Sequence, residues 1–268
     1  MVESCLVVRE QDSEVFAAWR AEVRLTDQPM ENLPKRSLQR WCGVAAAVLL
    51  GTLGGTVRSE ARGSSERPFI ELRTKMTVDV DGAPNAYGPR SLPTLDFLKN
   101  AHRMGHMSAP IVGYLTRNDD GHTPVIQGPK DPCPGYYVST TDFRDDSIDN
   151  DADPRKYLDA RKISYVVLGR VGERGHVQMG DLAVVHSDRT GKTVYAVVGD
   201  SGNPSGGEGS LALLKALGYP FHDGKDDAVE KKEIVIRYFP GSNPEHRFFH
   251  TQGEIDRAGE ALKLDRGF

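Results

Sequence analysis

Val194-Tyr195-Ala196-Val197-Val198-Gly199-Asp200-Ser201-Gly202-Asn203-Pro204-Ser205-Gly206-Gly207-Glu208-Gly209-Ser210 is the stretch on which the reading of this chain turns. Val194 to Val198 is an apolar, β-branched run, which reads as a strand that carries Asp200 to its end. The Gly, Ser and Pro that follow form a loop whose glycines let the backbone turn sharply and approach a ligand closely. Ser210 to Leu217 then reads as a helix, with Leu211, Leu213, Leu214 and Leu217 at near-helical spacing and Gly218 as its stop. Glu208 falls at the start of that helix.

Outward from this segment the pattern is mostly strands. Asp181 to His186 and Lys192 to Val198 read as a strand pair around the turn Asp188-Arg189-Thr190-Gly191. Ile163 to Leu168 and Ile234 to Phe239 are further apolar strands. Phe69 to Leu72 and Met76 to Val80 alternate with a period near two. Pro110 to Leu115 and His122 to Gln127 flank the hairpin signal Asn118-Asp119-Asp120-Gly121. Gly135 to Thr140 is another strand. Thr94 to Ala101, behind Pro93, and Glu254 to Leu264 read as short helices. Many short strands with few helices predict a mainly β barrel or sandwich, and exclude a doubly wound α/β sheet.

Composition narrows the classes. The 268 residues are 38% hydrophobic and 27% charged, with net charge -4. The mean hydropathy of -0.47 excludes a multi-span membrane protein. The balanced charge gives no basic excess for nucleic acid. One uncharged stretch, Trp41 to Leu53, follows Lys35, Arg36 and Arg40. It is too short to span ~30 Å of hydrocarbon, but it fits a secretory leader cut near Ala61. Met30 is the expected start, with 1–61 an N-terminal extension plus leader and 62–268 a single catalytic domain. That domain holds 27 basic and 30 acidic residues and one cysteine, Cys133, so it has no internal disulfide. The expectation is a secreted monomer with no stable membrane association once the leader is cut.

Two carboxylates, Asp200 and Glu208, bracket the Gly-rich loop and can face one cleft. Glycosidic cleavage needs such a pair: one protonates the leaving oxygen, and one activates water or attacks carbon. The structural alternative is that Asp200 caps a turn and Glu208 complements a helix dipole. Gly199 to Pro204 also looks like the loop around the nucleophile of trypsin-like proteases, with Ser201 in that role and His102 as the nearest base. The flanking cysteines of that family are missing. His102 and His106 lack the further ligands of a zinc site. Asp79-Val80-Asp81-Gly82 starts like a calcium loop without its closing Glu. The acidic loop with Asp142, Asp145, Asp146, Asp149, Asp151 and Asp153 can bind a polycation or stay solvated. No metal or other cofactor is expected.

Ordered blocks add a resemblance. Lys75 to Tyr87, Gly135 to Thr141, Lys156 to Ala160, Ile163 to Leu168, Gly180 to Ala183 and the Gly-Glu-Gly-Ser block together resemble glycoside hydrolase family 75, the fungal-type chitosanases. The resemblance implies inverting endo-hydrolysis of chitosan, with the two essential acids on Asp200 and Glu208. For substrate contacts it suggests Asp79, Asp81 and Asp96 toward amines, and Tyr87 and Tyr137 against sugar faces. Val177 to Leu182, with the strand ending at Gly199 to Gly202, looks like double-psi barrel hydrolases, so the expected fold is a six-stranded, double-psi-like barrel. The rival classes are a non-catalytic glycan-binding barrel and a hydrolase of another polymer such as peptidoglycan. A position for Glu208 at a helix N-terminus favours it as base and Asp200 as acid.

Overall fold

Six strands close into a barrel in the order β1 (Ile70–Asp79), β5 (Glu208–Ser210), β2 (Tyr165–Val167), β4 (Thr193–Asp200), β3 (Leu182–Ser187) and β6 (Ala228–Phe239). A computed structural model describes residues 67–101 and 113–268, which fall in one unit running from Ser64 to Phe268. The leader stretch, Met30, His102 and His106 lie outside the described residues. Among the described residues, no helix is long and apolar enough to cross a membrane.

The strands form where the sequence alternates or is β-branched. β1 (Ile70–Asp79) buries Thr74, Met76 and Val78 and exposes Glu71, Arg73, Lys75 and Thr77. It joins the two expected strands into one, with a register shift between Thr74 and Met76 where it pairs with β6 (Ala228–Phe239). β2 (Tyr165–Val167), β3 (Leu182–Ser187) and β4 (Thr193–Asp200) are buried almost throughout. The shortest strand, β5 (Glu208–Ser210), lies parallel to β1 and antiparallel to β2. β2 and β4 form the second parallel pair. Mixed neighbours of this kind require long crossovers, and the chain between β1 and β2 makes the longest.

Helices close the rims. α1 (Arg170–Arg174) follows β2. α2 (Leu211–Ala216) starts directly from β5: Ser210 accepts the Leu213 N–H as its cap, and Leu211, Leu213 and Leu214 are buried. α3 (Gln252–Ala261) opens on a Thr251/Glu254 capping box. Its Gln252 side chain accepts from the Ser164 N–H and donates to the Tyr195 carbonyl, tying α3 to the barrel.

Two expectations change. The segment 94–101 is a set of turns, not a helix. Asp96 turns its own carboxylate onto the Phe97 N–H and the Asn100 side chain, a local bond that competes with helix formation. The segments around 113–140 form isolated antiparallel bridges, Tyr114 to Ser139, Thr116 to Pro124 and Ile126 to Tyr137, in place of full strands.

Candidate active site

Glu208 does not sit at a helix N-terminus. It opens β5, and α2 begins three residues later behind Ser210. The dipole argument for Glu208 as base therefore does not apply. Gly209 explains how so short a strand fits: a Cβ there would lie 2.9 Å from both Met76 Sδ and Leu213 Cδ2. A larger residue there would force the buried Met76 or Leu213 side chain to move.

The register then fixes the acids. Glu208 pairs with Thr77 of β1, Gly209 pairs with Val166, and, past a register shift in β4 that skips Gly199, Val167 pairs with Asp200. Continuing the antiparallel pairing puts Val167 opposite Glu208. Glu208, Val167 and Asp200 thus stand in one row across β5, β2 and β4. With strands about 4.7–4.9 Å apart, the two acids' backbones are roughly 9–10 Å from each other. Asp79 lies two residues beyond Thr77, on the same side of β1. Glu208 and Asp79 are half-buried, and Asp200 is 6% exposed.

The excursion after β1 supplies the wall. The Asp79 carboxylate accepts the Asp81 N–H at 2.8 Å. The turn continues through Gly82, whose φ is +77° and whose Cβ would fall 2.0 Å from the Leu158 carbonyl oxygen. Gly82→Ala combines left-handed strain with a backbone clash. It should cost about 3 kcal/mol or more, read as a lower urea midpoint with unchanged slope.

Tyr87 donates to Asp81 at 2.8 Å, and its hydroxyl is 3.3 Å from Asp96. Asp81 and Asp96 are 8% and 7% exposed. They hold the Tyr87 hydroxyl and the turn, which leaves them poorly placed as open contacts for an amine. The Tyr87 ring tilts against Tyr114 at 5.7 Å, and Tyr114 against Tyr137 at 5.2 Å. Tyr137 is thus the outer member of an aromatic row, while Tyr136 is buried and donates to the Pro93 carbonyl. Tyr114 is a row member that the sequence did not single out.

Burial drives the acids' protonation. It pushes the Asp79 carboxyl up to about 7, with Glu208 adding repulsion. Asp200 is held well above the usual carboxylate range by burial first, then by Asp79, Asp81 and Asp142. Asp81 is raised for the same reason, burial and then Asp79. Tyr165 carries one hydroxyl proton and donates to the Asp81 carbonyl at 2.9 Å, while also bonding Asp79. A protonated Asp79 satisfies both neighbours at once. Asp200 Oδ1 accepts from the Ser201 N–H at 2.8 Å and the Asp142 N–H at 3.2 Å. The Ser201 hydroxyl donates to Asp142.

Among the described residues, no group of three or more His, Cys, Asp or Glu is arranged to hold a metal ion. A separate cavity of about 210 Å³, lined by residues such as Pro84, Tyr157, Phe248 and His250, includes none of these acids. Compared with protein-family models and with curated proteins, the chain matches none.

Proposed function

We propose that this protein is an endo-acting, inverting glycoside hydrolase that cleaves β-1,4 links in chitosan, exported by its N-terminal leader. The observation that carries the reading is the row Glu208–Val167–Asp200 given by the strand register, which sets a half-buried acid and a buried acid, whose neutral form burial favours, on the two strands flanking β2 in one sheet. Its backbone spacing suits the ~6.5–9.5 Å between carboxyls that leaves room for a water. Asp200 gives its proton to the glycosidic oxygen as the C–O bond breaks. Glu208 takes a proton from water, whose oxygen bonds to the anomeric carbon from the other face. Tyr137, at the outer end of the aromatic row, offers a sugar face a stacking surface.

Reducing-end release from chitosan, chitin and cell-wall material tests the reading. Chitosan should be cut internally, and proton NMR of the first products should show the α-anomer. Binding without reducing ends would instead make the protein a glycan-binding barrel. Release from cell wall alone would make it a hydrolase of a different polymer.

A further inference from the structure

The structure divides the acidic loop into members with different work. Asp151 pairs with Lys156 and Asp153 with Arg155. Asp145 accepts from Ser147 and faces His250 at 3.5 Å. Exposed acids elsewhere include Asp119 and Asp188, neutralised by Arg117 and Arg73. Asp142, Asp146 and Asp149 are exposed members of the loop with no ion pair among the described residues, and of these three it is Asp142 that is bonded to Asp200. Among the described residues no Lys, Arg or His lies within ion-pair distance of it, and it is exposed. It is also joined to the buried Asp200 directly, through its own N–H, and indirectly through Ser201, whose hydroxyl donates to Asp142 and whose N–H donates to Asp200. An uncompensated negative charge therefore stands in solvent beside the carboxyl that would protonate the leaving group. Asp81 and Asp96, by contrast, direct their oxygens inward.

We propose that Asp142 is the specificity-determining residue that reads a protonated amine on the sugar adjoining the scissile bond, an assignment that rests on the chitosan reading above. A cationic amine is the group that an exposed, unpaired carboxylate binds best. A neutral acetamido group at the same place gains nothing from the charge. The requirement for a deacetylated unit then arises beside Asp200, not along the whole cleft.

Asp142→Asn isolates the charge, because asparagine keeps the backbone N–H to Asp200 and an oxygen for Ser201. The test uses the whole secreted protein with a glucosamine hexamer and an N-acetylglucosamine hexamer. At low ionic strength the variant should show a KM on the glucosamine hexamer raised roughly tenfold. The wild-type KM should rise with salt and the variant KM should not. Asp142→Glu should recover most of the loss. An unchanged KM and salt response in Asp142→Asn, while the wild type cleaves the glucosamine hexamer, overturns the role of Asp142 and leaves the hydrolase reading standing. A KM raised equally on both hexamers makes the residue structural and also overturns the proposal. If the wild type cleaves neither hexamer, the hydrolase reading fails and the assignment fails with it.

Discussion

Asp200→Asn is expected to lower kcat on chitosan by about 10²–10⁴-fold, the usual contribution of a positioned general acid, with little change in KM. Asparagine keeps an oxygen for the Ser201 and Asp142 N–H groups, so the loop stays in place. What is lost is a proton that can leave. Burial, reinforced by the nearby acids Asp79, Asp81 and Asp142, favours the neutral form of Asp200. Glu208→Gln should cost a similar factor, because the amide cannot take a proton from water. The pH profiles then separate the roles: the variant of the acid loses the alkaline limb, and the variant of the base loses the acid limb. Near-normal turnover in either variant would end the two-carboxylate mechanism.

The second large effect concerns stability. Asp79, Asp81 and Asp200 all have folded-state values above those of the unfolded chain. Their contribution is complete below about pH 4, where both states are protonated, and is lost as pH rises through the folded values, near 7 for Asp79. Asp145, Asp151 and Asp153 are lowered by hydrogen bonds from Ser147, Lys156 and Arg155 and act in the opposite sense, gaining as pH rises from acid. Thermal stability should therefore peak in mildly acidic buffer and fall toward pH 8. Asp79→Asn removes one half-buried charge at pH 8. It should raise the melting temperature there by about 4–8 °C, equivalent to ~2 kcal/mol, with little effect at pH 4. Equal melting temperatures for the wild type at pH 5 and pH 8 would mean that these carboxyls ionise without cost.

The barrel was legible where strands are long and apolar. β3, β4 and the second half of β6 are runs of Val, Ile, Ala and aromatic residues, and the alternation of β1 is plain. β5 was not legible. Glu-Gly-Ser has no hydrophobic period, and it is a strand through its pairing with β1 and β2, where Gly209 fits closely against Met76 and Leu213. The candidate acids were legible as residues, from the strand end at Asp200 and the Gly-rich loop. Their relation was not, because it depends on β2 entering between them. Asp79 was read as a contact for substrate, whereas its surroundings make it the carboxyl that links Glu208 electrostatically to Asp200. Tyr114 gave no local signal, since its partners Tyr87 and Tyr137 come from distant parts of the chain.

The row that carries Glu208 and Asp200 has a consequence for protein engineering. Both ends of the segment 201–207 are pinned by ladders, one on β4 and one on β5, with β2 as the spacer. Extra residues grafted at its exposed turn, between Pro204 and Ser205, should bulge into solvent and leave the acids where the ladders hold them. To widen or narrow the gap a designer must alter the sheet itself, so indels here can reshape the groove's edge without retuning its chemistry.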